Sequence, residues 1–315
     1  MIKLTQEQIK KFHQKGWIGP LDLFSMQEVE PIHEQLKKVS RVAQFRDITQ
    51  PGEQAFRIFH NQYFKAETHI NHHFWCQSLY NLLLDSRIVD YLNILGEKDL
   101  LLWRSGVFNR MPQQVGVGWH QAVESYRSSM SDEETVDLIF PEDTEILNFT
   151  VWIALNDITE EMGNLQFANG SHRKRFKVVQ APLGKGAYPE ERYRDMQEQL
   201  PEQSYSRAFV FDENDWEVES ILSIKAGQII IFNEHCMHQV PGNYGDRERW
   251  GINGRYIPPS VQIHPQRLTN NHSYDEYNCD LKKHYSILVS GRDDYGLNRV
   301  ENINHQMDLI HQSGN

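Results

Sequence analysis

From Leu147 to Leu155 the chain alternates strictly: Leu147, Phe149, Val151, Ile153 and Leu155 are apolar, with Asn148, Thr150, Trp152 and Ala154 between them. Successive side chains of a strand point to opposite faces, so this segment is expected to be a β-strand with one apolar and one semi-polar face. A strand needs partners. Further strand patterns run over 101–109, 164–168, 221–232 and 249–257, the third broken by the turn pair Ala226-Gly227. No βαβ alternation links them, so antiparallel pairing in a barrel or sandwich is expected.

The N-terminal part reads differently. Thr5 followed by Gln8, and Ser25 followed by Glu28, are capping-box patterns, and Val29, Ile32 and Leu36 recur at helical spacing. A third helical region is expected from about Ile70 to Leu95, restarting at Ser86 and capped by Gly96. The expected organisation is a single α+β domain. Residues 1–98 form a mainly helical buttress and 99–264 the β core, interrupted by a polar insertion near 184–215. Residues 265–315 form a C-terminal extension.

Charge and cysteine usage limit the partners. The 32 basic residues are outnumbered by 43 acidic ones, with no long run of either sign, so neither nucleic acid nor an anionic membrane surface is an expected partner. Cys76, Cys236 and Cys279 are odd in number and lack paired spacing, which points to a reducing compartment and a cytoplasmic enzyme. The segment beginning at Met1 has no apolar run of signal-peptide length, and no stretch approaches the roughly 20 apolar residues of a membrane span.

Two histidine-bearing segments are the main chemical candidates: Trp119-His120-Gln121-Ala122, and Asn233-Glu234-His235-Cys236-Met237-His238 directly after an apolar strand. On an extended segment residues 120 and 122 project to one side and Gln121 to the other. His235 competes with His238 for the second position. A structural zinc site would want four nitrogen or sulfur ligands, usually with a second paired cluster, and no such cluster is visible. Further along, Arg249 and Arg255 share a strand face with Gly251 and Asn253. A guanidinium stays charged and can meet a carboxylate with two parallel hydrogen bonds.

With Gly163-Asn164-Leu165 and Asn169-Gly170-Ser171-His172 between the histidine segments, and Arg249 to Tyr256 after them, the order of motifs resembles the phytanoyl-CoA dioxygenase-like family as far as about His264. The resemblance implies a double-stranded β-helix (jelly-roll, cupin-like) core and the use of Fe(II), 2-oxoglutarate and O2. The family's hydroxylases hold iron by H-x-D and a distant histidine, a 2-His-1-carboxylate set. Here the motif is H-x-A. In this the chain resembles the syringomycin-type aliphatic halogenases, in which Ala or Gly replaces the carboxylate and chloride takes the vacated position.

That resemblance implies roles residue by residue. His120 and His238 would hold the metal, with His238 preferred to His235. Ala122, Thr150 and Arg255 would border the chloride, and Arg249 with Trp152 would bind 2-oxoglutarate. His120, Ala122, His238 and Arg255 would form the catalytic set, and Phe108 with Glu124 would meet the substrate. The substrate implied is an aminoacyl group tethered to a carrier protein, in natural-product biosynthesis. Gly106 stands where the family places an acid for the substrate amine, which leaves open a free small molecule or nucleotide. Hydroxylation by the same family, and a non-catalytic binding protein, are the alternative functions.

Each residue also has an ordinary reading. Histidine taken singly is more often structural than ligating, the arginines could pair with surface acids, and Trp152 could be core. Glu124 could supply the missing carboxylate, but its spacing of four from His120 suits a helix face rather than an extended segment. Ala122 could mark a decayed site. Against decay, both histidines, both arginines and the pocket strand are kept together.

Overall fold

Both faces of the Phe149–Ala154 strand are buried, and the two faces meet different neighbours. Phe149, Val151 and Ile153 join a core made with the N-terminal helices, which includes Phe12, Leu36, Leu79 and Leu92. Trp152 and Ala154 point the other way, into a second core with Trp17, Phe167, Ile230 and Phe232. The adjacent Gln228–Asn233 strand divides likewise, Ile229 and Ile231 to the helices and Ile230 and Phe232 to the second core. Burying an aliphatic side chain of this size stabilises the fold by about 1.5–3 kcal/mol. Period-two alternation on both faces therefore fixes the register of these strands, because a one-residue slip would exchange the two sets.

The computed structural model describes residues 4–43, 47–50, 53–61, 66–114, 116–122, 125–127, 134–136, 138–141, 147–182, 205–264 and 279–301. Its large sheet is antiparallel. In spatial order it runs Trp17–Asp22, Gln228–Asn233, Phe149–Ala154, Arg249–Ile257, Leu100–Arg110, Ala66–Ile70 and Arg57–Asn61, with Ile287–Ser290 also paired to Leu100–Arg110. A four-stranded antiparallel sheet follows the order Val218–Ser220, Gln166–Ala168, His238–Val240, Val117–His120. The second core joins the two sheets, with Phe167 of the small sheet against Trp17 and Phe232 of the large one.

Several sequence expectations are met. The Gln6–Lys15 helix begins at a complete capping box between Thr5 and Gln8. At Ser25 the Glu28 carboxylate caps the backbone N–H and hydroxyl before the Met26–Ala43 helix. Gly96 caps the Ser86–Leu95 helix, and Gly227 takes φ 85° at the expected turn, where a side chain would strike the Phe24 carbonyl. Cys76, Cys236 and Cys279 are buried, and none is in a disulfide.

The N-terminal region supplies strands as well as the expected helices. Ile70 ends a strand rather than opening a helix, because its neighbour Asn71 leaves the sheet in a left-handed conformation, bonded to Ser105 and Ala55. Helices follow only at Gln77–Leu83 and Ser86–Leu95. Three strands before residue 98 belong to the large sheet, their alternation too short to stand out beside the helices. The described residues after 278 return a strand to the same sheet. Residues 184–204, most of the insertion expected near 184–215, lie outside the described residues. Among those described, no helix is long and apolar enough to cross a membrane.

Candidate active site

A cavity of about 340 Å3 opens between the sheets, lined by residues from both. His120 ends the strand Val117–His120 and His238 begins His238–Val240; the two are direct cross-strand partners with ring centroids 4.2 Å apart. Each ring donates its Nδ1–H to a carbonyl, His120 to Gly118 and His238 to Cys236, both at 2.8 Å. Those bonds select the tautomer that leaves each Nε2 lone pair for a ligand. Phe167 and Phe232 pack against the His238 ring. Loss of hydration holds His120 down to about 4, against the raising effect of the Gly118 carbonyl, so both rings are neutral at pH 7.

His235 does not share this geometry. Its ring packs on Phe140, outside the cavity lining, and its carbonyl accepts a hydrogen bond from the Gln121 amide at 2.6 Å. Gln121 also donates to the Lys174 carbonyl, so it ties the His120 segment to two neighbours. Ala122 lies just past the strand in a bend, yet lines the cavity as its position two after His120 suggests. Its N–H donates to the Glu234 carbonyl at 2.8 Å, and its own carbonyl accepts from Arg255 Nη1 at 3.1 Å. Among the described residues no group of three or more His, Cys, Asp or Glu is placed to hold a metal ion. Among the described residues the histidine pair is accompanied in the cavity lining by the Ala122 methyl group rather than by a carboxylate.

The strands Arg249–Ile257 and Leu100–Arg110 form the opposite wall. Their register sets Arg249 against Arg110 and Arg255 against Arg104, with Phe108 and Asn253 between, and all six line the cavity. Like charges placed opposite each other disfavour pairing, so this wall suits anions. Arg249 is 2% exposed and its buried Nε lacks a hydrogen-bond partner. Its guanidinium lies 5.4 Å over the Trp152 ring. Burial, then the charge of Arg110, pushes Arg249 down to about 9. A Cβ at Gly251 would come within 2.0 Å of Trp152, so only glycine lets the indole lie here. Thr150 lines the cavity beside it.

This site sits on a chain whose residues 12–251 match the family model described as Phytanoyl-CoA dioxygenase (PhyH). The chain belongs to the phytanoyl-CoA dioxygenase family. No curated protein sequence matches it. Among solved structures, "CytC3 with Fe(II) and alpha-ketoglutarate" is 23% identical with a TM-score of 0.65, covering 96% of this chain and 94% of that one. The non-heme monooxygenase ThoJ, in its apo form, is 17% identical with a TM-score of 0.64, covering 97% and 92%. The carbocyclase SnoK from nogalamycin biosynthesis is 16% identical with a TM-score of 0.57, covering 85% and 91%. At these identities the likeness is one of fold.

Within this dioxygenase-family chain, the structure brings His120, Ala122, His238, Thr150, Trp152, Arg249, Arg255 and Phe108 to one cavity. Glu124 lies outside the described residues. Arg104 and Arg110 were not among the expected site residues, although Arg104 shares parity with Phe108 on the expected strand 101–109 and Arg110 directly follows it. Nor was Glu234, whose carboxyl group is fully buried beside Thr150 and Arg255. A charged residue at the end of the apolar run Ile229 to Phe232 was the available signal.

Proposed function

We propose that this protein is an iron(II)- and 2-oxoglutarate-dependent halogenase that chlorinates an unactivated aliphatic carbon. The observation that carries the reading is the histidine pair with Ala122 in place of a third ligand. Two neutral imidazoles oriented through Nδ1 suit a divalent iron, and Ala122 leaves a position that an exogenous anion can take. The unpartnered Arg249 Nε beside Trp152 suits the far carboxylate of 2-oxoglutarate. The two sheets read as the walls of a double-stranded β-helix with this cavity at its mouth.

Iron, 2-oxoglutarate and O2 would supply the oxidising power, and chloride the atom transferred. The chain's own residues bind and orient. His120 and His238 would hold the metal, and Arg249 would anchor 2-oxoglutarate against Trp152. Arg255, fixed to the Ala122 carbonyl, presents a cation beside the open position. Ile70, Phe108 and Leu165 give the cavity the apolar surface that an aliphatic substrate needs.

The leading substrate is an aminoacyl group on a carrier protein, in natural-product biosynthesis. The fold shared with SnoK, from nogalamycin biosynthesis, supports that setting. The cationic wall also favours a second reading, a free phosphorylated small molecule such as a nucleotide. The function is tested without substrate by adding iron(II) and 2-oxoglutarate anaerobically and following the visible charge-transfer band during a chloride titration. A saturable shift supports halogenation. A band indifferent to chloride favours a hydroxylase, and no band removes the metal site.

A further inference from the structure

Glu234 is a fully buried acid bonded through its backbone to Ala122, and the proposed chemistry leaves it without a role. It follows the Gln228–Asn233 strand, where its backbone N–H donates to the Asn148 carbonyl and its carbonyl accepts from Ala122 N–H. Its side chain has no solvent exposure. Thr150 Oγ1 and Asn148 Nδ2 donate to the carboxyl group, each at 3.3 Å, and Arg255 Nε lies 3.8 Å away. Arg255 also donates through Nη1 to the Ala122 carbonyl. These contacts close a ring, from Ala122 to Glu234 to Arg255 and back to Ala122, and two of its members, Ala122 and Arg255, line the cavity.

Within that ring one guanidinium serves two anionic claimants. No Asp or Glu lines the cavity itself among the described residues, so Glu234 is the resident competitor for Arg255. We propose, on the basis of the halogenase reading, that the Glu234 carboxylate and an incoming halide compete for Arg255. Halide then enters beside Ala122 as Glu234 takes up a proton. The step balances as a binding equilibrium: one halide and one proton enter together, and the net charge of the site is unchanged. Glu234 is a positioning residue, acting through Arg255.

The surroundings isolate this group as the one that changes charge. Arg255 faces it from the Arg249–Ile257 strand, and the charge of Arg104 acts on it from the Leu100–Arg110 strand. Thr150 and Asn148 do not ionise. His235, its chain neighbour, turns its ring to Phe140. The long contacts to the carboxyl group offset its lost hydration only in part, so burial raises Glu234 to about 7, with Arg255 opposing.

The test is the chloride titration of the iron(II) and 2-oxoglutarate complex at pH 6, 7 and 8, with proton uptake followed by an indicator dye in weak buffer. If the proton is required, the apparent chloride Kd weakens about tenfold from pH 6 to pH 8. Adding chloride near pH 7.5 then draws protons from solution. Glu234→Gln gives a pH-independent Kd near the wild-type value at pH 6, and Glu234→Asp keeps the slope. Equal chloride affinity at pH 6 and 8 in the wild type, or an unchanged slope in Glu234→Gln, overturns the proposal while leaving halogenation standing. Absence of any chloride effect at all three pH values overturns both. The wild-type proton uptake decides the matter even if a variant fails to fold.

Discussion

Replacing Arg249 with methionine should make the unliganded protein more stable and its 2-oxoglutarate binding far weaker. The guanidinium is buried opposite Arg110, with an Nε that finds no acceptor. Its fall from an ordinary 12.5 to about 9 corresponds to roughly 5 kcal/mol held against the charged form. Methionine fills a similar volume without the charge, at the loss of a cation–π contact with Trp152 of about 1–2 kcal/mol. The net gain should be about 1–4 kcal/mol, raising Tm by a few degrees. Truncating one partner of a buried ion pair costs about 2–5 kcal/mol, or roughly 30- to 5,000-fold in affinity. Thermal unfolding without ligand and calorimetric titration of 2-oxoglutarate read the two effects separately. Unchanged affinity together with a lower Tm would show that Arg249 is structural and refute the reasoning.

Other perturbations follow from the same geometry. Ala122→Asp places a carboxylate in the open position, held by the Glu234 and Arg255 bonds to the Ala122 backbone; halide affinity should fall by at least about tenfold, and an undiminished chloride shift would assign the metal elsewhere. Gly251→Ala drives a methyl group into Trp152 and should cost about 1–3 kcal/mol with weaker 2-oxoglutarate binding; an unaltered urea midpoint contradicts the contact. Acid should unfold the protein early. His33, His72, His73 and His284 stay neutral in the fold, with burial holding His33 down to about 4 and His73 to about 3. Below the unfolded value of about 6.5 the open chain binds protons that the native one does not. Each histidine then removes up to about 1.4 kcal/mol per pH unit as pH falls toward 4. Glu234, raised to about 7, works in the opposite sense between 7 and 4.5, and the buried histidines outnumber it. A urea midpoint as high at pH 5 as at pH 7 would contradict this.

The β core was legible because its strands are buried on both sides, so Phe149 to Ala154 and Ile229 to Phe232 carry an apolar pattern too regular for a loop. The strand Arg249–Ile257 appears at the bounds read from sequence. The strands Trp17–Asp22, Arg57–Asn61 and Ala66–Ile70 were missed. They are short, and their partners lie far along the chain, so local pattern could not register them. At the site, the order of motifs and the family resemblance pointed to His120, Ala122, Arg249 and His238 in preference to His235, and the fold sets His238 directly across from His120. Glu234 escaped because a lone acid after a strand looks like a surface residue. Its burial is imposed by Asn148, Thr150 and Arg255, which come from two other strands and their approaches.

In the proposed halogenase an anion, rather than a protein carboxylate, would complete the metal sphere beside Ala122. Crystals grown anaerobically with iron(II), 2-oxoglutarate and bromide test this directly by anomalous diffraction. An iron peak is expected within bonding reach of His120 Nε2 and His238 Nε2, with a bromide peak next to it on the Ala122 side near Arg255. An iron peak completed there by a glutamate or aspartate side chain, with no bromide signal, would contradict the proposal.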